Sequence, residues 1–260
     1  MKITSIPCLS DNYAYLVECE TTGEKVLVDA SEAAPILAAL QARGVSKLAA
    51  IWSTHHHFDH VGGNEAVASA LGVREVAGHA SDKGRIPGQT RFLEEGEAFA
   101  VGGLRVEILH IPGHTTGAVA YVVTDDAKRT RAVFTGDTLF LAGCGRLFEG
   151  TPAMMHTSLS KLAALPGDTQ VYCGHEYTKS NLRFAAHVEP SNAAIGARAA
   201  RADELRAADK PTVPGTMSDE LATNPFLRVR SAEIRRTLGI APDASDADAL
   251  GAIRAAKDKF

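Results

Sequence analysis

The sequence predicts an α+β fold, an αβ domain followed by a smaller helical one, on three observations. Short apolar runs rich in branched residues alternate with helical segments through the first two-thirds of the chain. After His175 the strands give out and alanine-rich helical segments take over. The 260 residues suffice for one large or two modest domains, and 45% hydrophobic with 22% charged residues is ordinary for a soluble globular chain.

The elements follow in order. "KVLVDA" is an apolar run ending at Asp29. It precedes a helix in "SEAAPILAALQARG", with Ser31 as the expected N-cap and Gly44 as the stop. "KLAAIWST" is a second apolar run, and "EAVASALG" a short helix. "LRVEILHI", "AVAYVV", "RAVFTGD" and "TQVYCGH" read as further strands, with a helix in "MMHTSLSKLAALPG" before the last. Beyond Tyr177 the sequence predicts helices only. The segments "KPTVPGT" and "LATNPFLRVR" connect them, and the closing helix has Ser245 as N-cap with Asp248 three residues on. The boundary falls near His175, giving domains 1–175 and 176–260.

Composition excludes several functions. A formal charge of −4 argues against broad nucleic-acid binding. No stretch is apolar and long enough to cross a bilayer, and the first residues carry no signal-peptide pattern. Cys8, Cys19, Cys144 and Cys173 are scattered without a CxxC pair, as expected of reduced thiols in a cytoplasmic protein.

The chemistry concentrates in "STHHHFDHVGGN", Ser53 to Asn64, where four histidines and an aspartate occupy six consecutive positions. On an extended segment residues two apart share a side, so His55 and His57 face one metal while His56 points away. A following turn swings Asp59 and His60 towards a second position. A single zinc needs three or four protein ligands, so this supply suits two ions. Three later strand ends finish in ligand-type residues beside glycine: His114 in "HIPGHTTG", Asp137 in "FTGDTLF" and His175 in "VYCGHEY". His56, His79, His110, His156 and His187 are read as structural or surface histidines. Cys173 is not needed as a ligand.

"THHHFDH" fits HxHxDH and resembles the signature of the metallo-β-lactamase superfamily, with "PGHTTG", "FTGDTLF" and "CGHEY" resembling its later ligand motifs in order. "GCGRLFEGT", "CGHEYTKSNLRFA" and "NPFLRVR" narrow the resemblance to the glyoxalase II branch, the hydroxyacylglutathione hydrolases, over essentially the whole chain. The resemblance implies a metallo-β-lactamase αββα sandwich followed by a smaller all-α domain that covers the substrate site. It assigns His55, His57 and His114 to a first metal, Asp59, His60 and His175 to a second, and Asp137 to both. The metals are expected to be zinc, with iron or manganese as alternatives.

The implied reaction is hydrolysis of S-(2-hydroxyacyl)glutathione, typically S-D-lactoylglutathione, by a metal-held hydroxide that Asp59 and Asp137 position. Arg146, Phe148, Tyr177, Arg254 and Lys257 map onto the glutathione contacts, although Phe148 stands where some members carry tyrosine. Arg254 and Lys257 are three apart on a predicted helix and so share a face. A cytoplasmic monomer is expected. Four alternatives compete. A lactonase or β-lactamase is disfavoured by "GCGRLFEG" and the basic helix, and a nuclease by the acidic balance. A non-catalytic binding module is disfavoured by the complete set of seven ligand types. Oxygen consumption with glutathione persulfide would separate an iron-dependent persulfide dioxygenase.

Overall fold

In the computed structural model, which describes residues 1–260, the chain forms two compact units. The first comprises Met1–His110 and Gly117–Gly136, the second Ile111–Thr116 and Asp137–Phe260.

In the first unit, alternation and short apolar runs build two sheets. One takes its strands in chain order: β1 (Lys2–Cys8), β2 (Asn12–Glu18), β3 (Lys25–Val28), β4 (Ala50–Trp52), β5 (Val76–His79) and β6 (Arg91–Leu93). The hairpins β1–β2 and β2–β3 are antiparallel, whereas β3 to β6 pair in parallel. Parallel neighbours need crossover connections: α1 (Ala33–Gln41) lies between β3 and β4, α2 (Phe58–Val61) and α3 (Asn64–Leu71) between β4 and β5, and one 3-10 turn, Ala80–Asp82, between β5 and β6. Strands covered on both faces lose their alternation, and every residue of β4 is buried. Ile36 and Leu40 of α1 and Val67 of α3 pack with Leu16, Leu27 and Ile51 in one core.

The second sheet contains the antiparallel meander β7 (Ala98–Val101), β8 (Leu104–His110), β9 (Val119–Asp125) and β10 (Thr130–Gly136). Aromatic side chains join the two layers. Trp52 stacks on Tyr121 with centroids 4.9 Å apart and meets Phe99 edge-on, while Tyr15 meets Phe134 at 5.5 Å. The buried Tyr121 hydroxyl donates to the Ser53 carbonyl at 3.1 Å, at the residue that opens the histidine cluster.

The second unit begins with the short pair β11 (Leu139–Phe140) and β12 (Gly143–Cys144). Helix α4 (Pro152–Ala163) starts where the Thr151 hydroxyl accepts from the Met154 amide and Pro152 fills the first turn. After β13 (Gln170–Cys173) come α5 (Thr178–Val188) and α6 (Ala193–Ala207). The two-residue β14 (Gly215–Thr216) precedes α7 (Met217–Thr223), α8 (Ala232–Leu238) and α9 (Asp246–Lys259). Leu182, Ala185, Ile195 and Ala202 pack between α5 and α6. Glu220, fully buried, pairs with Arg198 and accepts from the Ala142 amide at 2.8 Å and from Asn224 at 2.9 Å. Glu189 takes both ends of the Arg228 guanidinium, at 2.8 and 2.7 Å.

Two local expectations are corrected. The cap position of α1 is Glu32, without a side-chain cap bond, and the Ser31 hydroxyl turns back to the Asp29 carbonyl instead. The region after His175 does contain a strand, because β14 pairs with β13; two residues are too few to show periodicity. The Ser245 cap forms as expected, its hydroxyl accepting from the Asp248 amide at 3.1 Å.

Candidate metal centre

In the first unit, β4 delivers the chain into the segment Ser53 to His57, which bends at Thr54 and His55 rather than running on extended, and α2 follows at once. His57 is the extended N-cap of α2, which carries Asp59 and His60. The ring of His55 lies 4.7 Å from that of His57 and 4.2 Å from that of His60. His55 and His60 are buried. His56 turns the other way, its Nδ1 3.1 Å from the buried Asp82 carboxylate and its Nε2 against Arg85.

Asp29 organises this half. Its backbone is left-handed, with φ of 53°, and its carboxylate accepts from the Thr54 amide and hydroxyl, both at 2.8 Å, and from His60 Nδ1 at 2.9 Å. The Thr54 hydroxyl has one proton, given to Asp29, so at 3.1 Å from His55 Nδ1 it acts as acceptor. Both imidazoles are thereby protonated at Nδ1, and Nε2 becomes the atom able to bind a metal. Asn12 donates to Asp59 Oδ2 at 3.1 Å and so orients that carboxylate. Gly136 has φ of 48°, and a Cβ there would come 2.7 Å from Thr54 Cβ and 3.4 Å from His55 Nδ1.

In the second unit, His114 sits in the glycine-bordered loop after β8, Asp137 directly after β10, and His175 two residues after β13. Asp137 Oδ2 lies 3.6 Å from His114 Nε2 and 3.2 Å from His175 Nε2. His114 Nδ1 donates to the Arg146 carbonyl at 2.9 Å, again setting Nε2 as the ligating atom. Gly145 permits this approach, because a Cβ there would strike the Asp137 carbonyl and lie 3.0 Å from His114 Nδ1. Tyr177 stacks on His175 at 4.7 Å and meets Phe140 edge-on, while Phe148 presents its edge to His114 at 5.2 Å. Burial pushes the Cys173 thiol up to about 12, and it donates to the His175 carbonyl as a neutral group.

The basic residues expected to meet substrate also lie in this unit. Arg254 is buried rather than solvated: Nη1 donates to the Cys144 carbonyl at 2.7 Å, and its guanidinium lies over Phe226. Lys257 donates to the carbonyl of Ser180 at 3.1 Å and its hydroxyl at 3.3 Å. Burial, then the nearby Arg254 and Arg183 charges, pull its ammonium down to about 8. Arg146 is exposed, with Nε 3.6 Å from Asp258. His79 stacks on His110, His156 is 4.0 Å from Asp246, and His187 packs on Phe260, consistent with structural roles.

Five imidazoles and two carboxylates are a donor set suited in kind and number to a binuclear site. Sequence reasoning missed Asp29, Thr54 and Asn12. The one signal available was that "VLVDA" ends an apolar strand on aspartate, as "VFTGD" does.

The profile of the metallo-beta-lactamase superfamily matches residues 10–175, and that of the hydroxyacylglutathione hydrolase C-terminus matches residues 176–260. A hydroxyacylglutathione hydrolase of Brucella anthropi is 49% identical, aligned over all of this chain and 97% of its own. One from Methylococcus capsulatus is 48% identical over all of this chain and 99% of its own. The chain belongs to the hydroxyacylglutathione hydrolase family. Among solved structures, ETHE1 from Myxococcus xanthus matches with TM-score 0.65 at 25% identity, over 99% of this chain and all of that one. TTHA1623, solved in a di-iron-bound form, matches with TM-score 0.58 at 30% identity, over 87% of this chain and all of that one. The architecture is thus a metallo-β-lactamase fold followed by the family's helical C-terminal domain. No helix in it is long and apolar enough to cross a membrane.

Proposed function

We propose that this chain hydrolyses S-(2-hydroxyacyl)glutathione, typically S-D-lactoylglutathione, to glutathione and the 2-hydroxy acid, D-lactate. This is the second step of methylglyoxal detoxification. Residues 1–175 carry the catalytic metals and residues 176–260 bind the glutathione thioester. The enzyme is read as a cytoplasmic monomer with two zinc ions and no nucleic-acid or membrane partner.

The observation that carries the reading is the completeness of the donor set. The first unit supplies His55, His57, Asp59 and His60, and the second His114, Asp137 and His175, the seven donor types that the family pattern calls for. In the proposed assignment, taken from the family resemblance, His55, His57 and His114 would hold one metal, Asp59, His60 and His175 the other, and Asp137 would serve both. Metals held there would supply Lewis-acid activation, lowering the pKa of a bound water from about 15.7 to roughly 7, worth roughly 12 kcal/mol in available hydroxide.

The chain's own residues do the rest. Asp29 and Thr54 hold His60 and His55 in the ligating tautomer, and the Arg146 carbonyl does so for His114. Asn12 keeps Asp59 oriented to align the nucleophile. Arg146, Arg254 and Lys257 receive a carboxylate of glutathione, and Tyr177, stacked on His175, is a further contact of the tripeptide. Phe148 supplies a ring face and no hydroxyl. The leaving thiol has a pKa of about 8.5, so thiolate departs without a strong general acid, whereas an amide nitrogen would need one.

Steady-state hydrolysis of S-D-lactoylglutathione, against the lactoyl thioester of a simple thiol, tests this. Strong preference for the glutathione ester is expected. No hydrolysis by fully metallated protein would overturn the reading. Asp59→Asn should reduce turnover more than metal content.

A further inference from the structure

We propose that Asp258 is an internal carboxylate that occupies the anion position between Arg146 and Arg254, and that the substrate's carboxylate must displace it. The inference rests on the glutathione reading above and adds a residue that sets how weakly glutathione is held.

The geometry is that of a filled receptor. One oxygen, Asp258 Oδ1, serves both cations, 3.1 Å from Arg254 Nη2 and 3.6 Å from Arg146 Nε. A carboxylate arriving from solvent would seek the same two guanidinium edges. Arg254 does not depend on Asp258 for its place. Its other nitrogen is fixed on the Cys144 carbonyl, and its face lies on the Phe226 ring. Moving Asp258 aside therefore leaves the guanidinium preorganised. The Asp258 side chain is itself 44% exposed, so it has room to swing out.

Helix stability does not explain the residue. Asp258 lies in the last turn of α9, where the macrodipole favours cations and disfavours a carboxylate. Its i,i+4 pairing, with the arginine on the N-terminal side, is the weaker orientation on a helix. The surroundings also hold more positive than negative charge. Arg254 and Arg183 both press on the half-buried Lys257 ammonium, and Asp258 offsets only part of this. An aspartate at this place neutralises a cationic pocket when glutathione is absent and opposes its carboxylate when it arrives. That lowers retention of the product as well as of the substrate.

The test is the dissociation constant of S-methylglutathione, a thioether the enzyme cannot hydrolyse, measured by calorimetry on the metal-loaded full chain. Asp258→Asn should bind about three to five times more tightly, the scale of one exposed ion pair. Asp258→Ala should shift in the same direction without an amide to make new hydrogen bonds. The gain should vanish in the Arg254→Met background, where the anion position is already lost. Unchanged or weaker binding by both Asp258 variants would overturn the proposal. So would an equal gain in kcat/KM with a lactoyl thioester of a simple thiol, which has no carboxylate to place. Wild-type protein that fails to bind S-methylglutathione would instead overturn the glutathione reading itself, and this proposal with it.

Discussion

Asp29→Asn makes the sharpest test of how the candidate ligands are held, because it changes no size and removes one charge. The native carboxylate accepts three hydrogen bonds, two from Thr54 and one from His60, at 2.8, 2.8 and 2.9 Å. An asparagine oxygen can keep the Thr54 amide. Its NH₂ group then faces the Thr54 hydroxyl and His60 Nδ1, both of which were donating. His60 must become an acceptor at Nδ1, which moves its proton to Nε2. Thr54, now receiving a proton, is released to donate to His55 Nδ1, which drives that ring to the same tautomer. Two imidazoles then present N–H where lone pairs are needed. Loss of one such supporting partner costs typically ~10–100-fold in metal affinity, or about 1.4–2.7 kcal/mol.

The fold suffers separately. All three charge-assisted bonds become neutral ones, a difference of about 1 kcal/mol each, and a chain of this size loses roughly 2–4 °C per kcal/mol. The apo variant should therefore melt roughly 6–12 °C lower. Competition with a chromophoric chelator reads the metal affinity, and apo-protein calorimetry reads the stability. An Asp29→Asn protein with unchanged metal affinity would refute the tautomer argument, whatever its melting temperature.

Further predictions concern the rest of the molecule. Lys257 has its pKa lowered to about 8 by burial, then by Arg254 and Arg183, so it carries charge below that pH and loses it above. Binding of S-methylglutathione should therefore weaken from pH 7 to 9, and the step should flatten in Lys257→Met. Burial pushes the Glu189 carboxyl up, but hydrogen bonds from Arg228, Asn192 and Ser231 outweigh this and bring it down to about 2. Its contribution, of the order of 2–3 kcal/mol, is complete above the ordinary glutamate range and lost as pH falls towards 2. Glu189→Gln should accordingly lower stability at pH 7 in denaturant titrations and show a flatter acid limb. Gly136→Ala combines a left-handed backbone with a 2.7 Å approach to Thr54 Cβ. It should cost about 2–3 kcal/mol and weaken metal binding with it, as unfolding and chelator titrations would show.

Much of this was legible from particular residues. "STHHHFDH" reads as an extended stretch with odd and even positions on opposite sides; the backbone bends at Thr54 and His55, yet His56 does turn away to Asp82. The strand-ending glycines pointed to His114, Asp137 and His175, and the second unit brings both histidines within 3.6 Å of Asp137. Besides the seven-residue β1 and β2, which went unread, the parts that escaped were of two kinds. Strands of three or four residues, such as β5 and β6, are too short to show a period. They exist because parallel neighbours complete their ladders. The supporting partners escaped because their role is set by distant contacts. Asp29 meets His60 across 31 positions, and Arg254 meets the Cys144 carbonyl across 110. No local pattern announces either. The burial of Arg254 ran against the usual solvated helix face for the same reason.

Arg146 has a divided role with an evolutionary consequence. Its carbonyl steadies His114, while its exposed guanidinium faces solvent and Asp258. Every amino acid brings a carbonyl, so the duty towards His114 passes unchanged through any substitution at this position that keeps the loop's path. The side chain is thereby released to vary. A descendant can exchange arginine for a group suited to a different acyl carrier while inheriting an intact hydrolytic centre. Gly145, one residue earlier, has no such latitude, because any side chain there collides with the Asp137 carbonyl. Adjacent positions thus sit at opposite ends of mutational tolerance, one open to new side chains and the other closed by the Asp137 carbonyl packed against it.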